Sequence, residues 1–270
     1  KRQSFAALSK QNILSILRSS LFENTVILYF AHFAKYVFPL ATLPYLARVL
    51  GAKTWGVLAF AQAFAIYLTM AIEYGFDLSA TREAARIRDS RELLGKLFVN
   101  ILGARVLIAI ISIAFCFAIE GRLELLKGNS ALYWWSVFWG ASQATNLYWF
   151  FQALERMRTV AILDITSRLL STAGIFYFVS APEDVWKASM LYGLAGWIVG
   201  VASLIYALPK IKLCAPSITD ILSTLKKGYQ LFLHRLVSSF MTFGTPILIG
   251  LLTTPQAVGY YSAADKIITA

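Results

Sequence analysis

The sequence predicts an all-α integral membrane protein: a multi-pass helical bundle with a six-helix N-terminal lobe and the truncated start of a second lobe. Composition is the first observation behind this reading. Apolar residues make up 58% of the 270-residue chain and charged residues only 14%, whereas a soluble domain carries about 25% charged residues. Length is the second. Seven apolar runs, 24–47, 54–76, 97–119, 131–154, 160–179, 188–208 and 228–252, each suffice to cross about 30 Å of hydrocarbon at about 1.5 Å per residue. The third is the placement of basic residues. Lys1, Arg2, Lys10, Arg18, Arg82, Arg86, Arg88, Arg91, Lys96, Arg156, Arg158, Lys210, Lys212, Lys226 and Lys227 fall in the N-terminal segment and alternate loops. Only Arg48, Lys53, Arg122, Lys127 and Lys187 fall in the others. That bias puts the N-terminus in the cytoplasm and runs every odd span from inside to outside. The net charge of +11 is therefore topology rather than a nucleic-acid surface, because the cations sit between apolar runs.

Each element follows in order. Residues 1–23 place apolar side chains at helical spacing with Lys10 and Arg18 interleaved, which predicts an amphipathic helix on the cytoplasmic membrane surface. No continuous apolar core with a small-residue cleavage site marks a removable signal peptide. Six spans over 24–208 make the first lobe, 209–227 is a basic cytoplasmic linker, and 228–270 holds the seventh span and the start of an eighth. The chain opens on Lys1 and stops inside an apolar run, so a fragment with an incomplete C-terminal lobe is expected. A weak internal repeat supports two lobes. Pro44 to Gly56 and Pro246 to Gly259 each run from a proline through a span end and a short loop to a glycine. Transporters built from repeated halves place their substrate between the halves.

Charges inside the bilayer are costly and mark function by default. One cation lies in each odd span: Lys35, Arg105, Arg168 and Arg235. Lys35 lies roughly 16 Å deep and the others roughly 10 to 12 Å, at about 1.5 Å per residue. Two readings stay open. The four line one cavity as a cationic layer suited to a phosphate-bearing head group. Alternatively, Arg105 and Arg235 snorkel to the inner head groups, and Arg168 neutralises itself against Asp164, four residues earlier. His32, Glu73, Asp77 and Asp164 are the candidates for ion or proton coupling, or for charge pairing. Pro39 and Pro44 remove two backbone donors from the first span and predict a bend, either a moving gate or a static kink.

The fourth span, ALYWWSVFWGASQATNLYWFFQAL, mixes aromatic rings with amides. Gln143, Asn146 and Trp149 are candidate sugar contacts, since sugars stack by their apolar faces and bond through their hydroxyls. Interfacial belts and helix-gluing amides are the competing account. No nucleotide-binding loop, zinc spacing or nucleophile elbow occurs, so no cofactor, metal site or catalytic residue is expected. Cys116 lies in an apolar run and Cys214 in a polar loop, which forms no disulfide framework.

Four stretches carry a family resemblance: FPLATLPYLARVLGAKTWGVLAFAQAF, EYGFDLSATREAARIRDS, WFFQALERMR and GYYSAADKI. In these the chain resembles the O-antigen polysaccharide flippases (Wzx type), within the superfamily that includes the MATE drug exporters. The resemblance implies a transporter of about a dozen helices in the bacterial inner membrane. Its cargo would be an oligosaccharide linked to undecaprenyl pyrophosphate, with membrane lipids and the polysaccharide polymerase machinery as further partners and no nucleic acid. Lys35, Arg105, Arg168 and Arg235 would line its cavity. A MATE-type drug or metabolite antiporter stays open. So does a membrane enzyme of lipid-linked glycan assembly, a polymerase or ligase, although the short outer loops argue against it.

Overall fold

A computed structural model describes residues 20–268, and the side chains among these except those of 20–28, 31, 32 and 241–243. The surface helix expected over 1–23 lies outside the described residues up to residue 19. The chain is an all-α, multi-pass membrane protein, with no strand among the described residues.

α1 (Ser20–Glu73) is two limbs joined at Gly51, whose φ of 72° and ψ of 165° break the helix. Residues on both limbs reach α7 (Val185–Ala207): Thr42 meets Tyr192, and Ile66 and Thr69 share a cavity wall with Tyr192. Along a single straight helix Thr42 and Ile66 would stand about 36 Å apart, so the chain reverses at Gly51. A glycine accepts that backbone where a Cβ would not. Pro39 and Pro44, where the sequence predicts a bend, lie in the first limb. The helix runs through both prolines, and the Thr42 hydroxyl donates to the carbonyls of Phe38 at 3.2 Å and Pro39 at 3.1 Å, serving acceptors in the proline-weakened turn.

Tyr74 and Gly75, both at positive φ, turn the chain into the short α2 (Phe76–Arg86). Then come α3 (Arg91–Ile119), capped by the Ser90 hydroxyl, and α4 (Ser130–Ser142). The fourth run does not continue as one helix. It breaks through a 3₁₀ turn at Gln143–Thr145 and resumes as the six-residue α5 (Tyr148–Ala153). The cause is local. Asn146 takes extended backbone, its Oδ1 accepts from the Tyr148 amide at 3.0 Å, and its Nδ2 donates to Gln143 Oε1 at 2.9 Å. Short polar side chains that bond nearby backbone compete with the helix ladder.

α6 (Met157–Phe178), α7, α8 (Ile218–Leu252) and α9 (Pro255–Ile268) complete the described chain. Among the described residues, four helical stretches are long and apolar enough to cross a membrane, or five if the bent halves of α8 count as one span. The seven expected runs fall on the two limbs of α1, on α3, on the broken α4–α5, and on α6, α7 and α8.

Two apolar cores hold the bundle. One joins both limbs of α1 to α4, α6 and α7 through residues such as Leu46, Leu58, Ile72, Val137 and Ile175. The other sits under α2, α3 and α5 around Phe76, Phe98, Phe150 and Phe151. Small residues on α7 seat the break in the fourth run: a Cβ on Gly200 would lie 2.0 Å from Thr145 Oγ1.

A close helix crossing joins the two segments that carry the weak internal repeat. A Cβ on Gly56 would lie 1.7 Å from the Pro255 carbonyl oxygen, and one on Gly259 would lie 2.5 Å from that of Ala52. Each glycine thus meets the carbonyl four residues before the other, a reciprocal contact of two parallel helices. Small residues permit this approach where apolar burial gives no drive.

Candidate functional site

Glu73 ends α1, and the reversal at Tyr74–Gly75 brings Asp77 back beside it in the first turn of α2. Asp77 stands between two arginines from distant helices. Arg105 of α3 donates through Nη2 to Asp77 Oδ1 at 2.9 Å, and Arg235 of α8 through Nη1 to Asp77 Oδ2 at 3.0 Å. Arg235 also donates through Nη2 to Glu73 Oε2 at 2.7 Å. The other fork of Arg105 donates to the Asn146 carbonyl, which the break in the fourth run leaves outside any helix ladder.

Two guanidiniums and two carboxylates sum to no net charge. That balance is what burial demands, because a lone ion in low dielectric costs several kcal/mol. Arginine suits it, since one planar fork serves two acceptors. The members are not equally enclosed. The Arg105 side chain is 1% exposed, that of Arg235 34%.

Beside this quartet lies a polar cavity of about 360 Å³, walled by the second limb of α1, the break between α4 and α5, α6 and α7. Glu73, Gln143, Asn146, Tyr148, Asp164 and Arg168 face it. Arg168 grips Asp164 with two bonds, from Nε at 2.9 Å and from Nη2 at 3.1 Å. Glu73 belongs to both places, lining the cavity and pairing with Arg235. The arrangement therefore offers hydroxyls and amides to a neutral polar group, and paired rather than bare arginines to an anion.

Residues 21–270 match the family described as polysaccharide biosynthesis protein. The chain belongs to that family. It is 27% identical over 252 residues to the "Putative O-antigen transporter" of Escherichia coli (strain K12), an alignment covering 92% of this chain and 60% of that protein. It is 29% identical over 250 residues to the protein of the same name in Shigella dysenteriae, covering 91% of this chain and 62% of the relative. The chain thus spans about 60% of the length of the curated relatives it matches. No solved structure matches it.

In this member of the polysaccharide biosynthesis family, Arg105 and Arg235 come together with Glu73 and Asp77, and Arg168 with Asp164. Lys35 does not join them. It is exposed on the first limb of α1, among the exposed Phe33, Val37 and Leu40. His32 lies in α1 with its side chain outside the described residues. Gln143 and Asn146 reach the cavity but bond each other. Trp149 requires a correction as a sugar contact. It is buried in the core against Phe98 and Phe150, and no ring face is open to a ligand.

Tyr148, one of the aromatic rings of the fourth run, faces the cavity because the helix breaks just before it. One contact was not foreseen from the sequence. Lys266 of α9 bonds Gln62 of α1. A lysine in a run beginning only at Gly259 was the available signal.

Proposed function

We propose that this chain forms the first lobe, and opens the second, of a flippase. It would carry an oligosaccharide repeat unit linked to undecaprenyl pyrophosphate across the bacterial inner membrane, for O-antigen or other surface-polysaccharide synthesis. In this reading α1–α7 are the first lobe, and α8 and α9 begin the second. Membership of the polysaccharide biosynthesis family, and two relatives named as transporters of O-antigen, support the substrate class.

The observation that carries the reading is the pairing of Arg235 with Glu73 and Asp77. These bonds tie α8 to α1 and α2 by exchangeable charge rather than by apolar packing alone. A pyrophosphate offers a guanidinium the same bidentate match as a carboxylate. The head group therefore competes with the two carboxylates for Arg235, while the enclosed Arg105 keeps Asp77 in place. With the N-terminus cytoplasmic, the ion pairs lie toward the inner leaflet and the glycine crossing of α1 with α9 closes the outer end. Lys35, exposed on the first limb, supplies a further cation. Gln143, Asn146, Asp164 and Arg168 offer the polar surface for sugar hydroxyls.

Deleting the gene in its source bacterium tests this, with single repeat units located by a probe that cannot cross the membrane. Units stranded on the cytoplasmic leaflet support the flippase, and Arg235→Ala in the intact gene then reproduces the defect. Units that reach the outer leaflet unpolymerised, or an unaltered glycan, would overturn the reading.

A further inference from the structure

We propose that Arg156, Tyr206 and Lys210 form a site for one anionic phospholipid, with the phosphate at the end of α7 and an acyl chain along it. The inference goes beyond the transport reading, because the ligand is a resident lipid rather than cargo. It uses neither the ion pairs nor the cavity described above.

The three residues line a cavity of about 630 Å³ together with Ala202, Ile205 and Pro209. Both cations converge on the tyrosine. Arg156 Nη1 donates to Tyr206 Oη at 3.0 Å, and its guanidinium carbon lies 6.0 Å from the ring centroid. Lys210 folds back, with Nζ 3.2 Å from the same centroid, and donates to the Tyr206 carbonyl at 2.6 Å. The two charges therefore stand within about 9 Å of each other, the limit set by their distances to the ring.

No carboxylate holds them there. Among the described residues, none lies within ion-pair distance of Arg156 or Lys210. Glu155 precedes Arg156, but its carboxylate pairs with Arg88, and that pair sums to no charge. The groups that act electrostatically on Lys210 are Tyr206 and Arg156, and Arg156 repels it. Two like charges brought together on one ring call for an anion between them. A guanidinium and an ammonium also carry more donors than these bonds use.

The second observation is the rest of the wall. Ala202, Ile205, Tyr206 and Pro209 recur at three- and four-residue spacing and make one stripe along α7 and the turn that follows it. Ile205 is 65% exposed and Tyr206 45%, so the stripe is open. From Ala202 to Lys210 it spans about 12 Å at about 1.5 Å per residue, apolar at one end and cationic at the other. A phospholipid presents its acyl chain, ester and phosphate in the same order. Tyrosine suits the middle position, where chain meets head group. Basic pockets at the end of a span hold anionic head groups by charge. A free phosphate matches the cations alone and not the apolar stripe.

The protein purified in detergent is titrated with phosphatidylglycerol, with phosphatidylcholine, whose own cation offsets its phosphate, and with glycerol phosphate. Native mass spectrometry counts the bound molecules. In the expected result, phosphatidylglycerol binds about tenfold or more tighter than phosphatidylcholine, the worth of one charge-assisted bond. Arg156→Gln combined with Lys210→Gln abolishes that preference, whereas Lys210→Arg keeps it within a few-fold. Amine-reactive labelling of the wild-type protein needs no variant: phosphatidylglycerol slows labelling of Lys210 and phosphatidylcholine does not. A preference for phosphatidylglycerol that survives the double variant overturns the site. Glycerol phosphate that protects Lys210 as well as the lipid does assigns a free anion and overturns the lipid. A polyprenyl pyrophosphate that displaces phosphatidylglycerol from Lys210 also overturns it and returns the two cations to the cargo. Failure of the lipid site leaves the transport reading standing, because Arg235 and its carboxylates take no part in it.

Discussion

Arg105 and Arg235 share one carboxylate, yet their surroundings predict different costs of removal. Arg105 is enclosed with Asp77 at 2.9 Å and the Asn146 carbonyl as its partners. Arg235 is half-buried, with a third of its side chain exposed, and its partner Asp77 keeps Arg105 when Arg235 is removed. Breaking a buried pair by deleting one partner costs about 3–5 kcal/mol, because the other charge is left uncompensated. Asp77→Ala strands Arg105 and should destabilise by that amount. Arg235→Ala should cost clearly less, since its pocket opens to solvent. Thermal unfolding of both variants in detergent gives the order directly, and equal losses would contradict the burial argument. The arginines stood out in the sequence as charges inside apolar runs, and Asp77 as a candidate for charge pairing with no arginine named as its partner. The sharing of Asp77 by Arg105 and Arg235 was not legible there, because residues 77, 105 and 235 meet only through folding. Lys35 shows the reverse. Its depth in the first run suggested a cavity, but the face it occupies is open among the described residues.

At the scale of elements, the fourth run and the α1–α9 crossing carry the lessons. The run looked like one span because its apolar content is high, while its Gln143-to-Asn146 segment has the side chains that end helices. Asn146→Ala removes the bonds to the Tyr148 amide and to Gln143. It should cost about 1–3 kcal/mol, the penalty for leaving buried partners unmade. Because Arg105 holds the backbone carbonyl of Asn146, this variant should keep the arginine pair, and a double-mutant cycle with Asp77→Ala measures any coupling. At the crossing, Gly56→Val places carbon against the Pro255 carbonyl, a backbone atom that cannot swing aside. Overpacking of this kind costs about 1–3 kcal/mol, and the lowered melting temperature should be matched by Gly259→Val. A surface glycine such as Gly128, with nothing near its Cβ direction but a positive φ, should show only the smaller backbone penalty when changed to alanine.

For the whole molecule, the two cysteines offer a test of orientation without any mutation. Cys116 is buried and Cys214 exposed, in the segment between α7 and α8 that carries Lys210 and Lys212. If the basic loops are cytoplasmic, an impermeant maleimide labels Cys214 in inverted vesicles and leaves it untouched in intact cells. Labelling from outside would reverse the topology. Aromatic and aliphatic residues on α3, among them Ile110, Ile111, Phe115 and Phe117, stay exposed, as a helix facing lipid requires.

Composition, span length and charge bias alone determined a helical, multi-pass membrane protein, because a bilayer leaves the backbone few ways to satisfy its hydrogen bonds. They also marked which charges were out of place. Only tertiary structure decided which of those charges are paired and where the fourth run breaks. It alone brought Gly56 against Gly259 and Lys266 against Gln62. Those outcomes depend on contacts between residues far apart in the chain. Hydropathy records how each helix meets lipid, but not what its inner face touches.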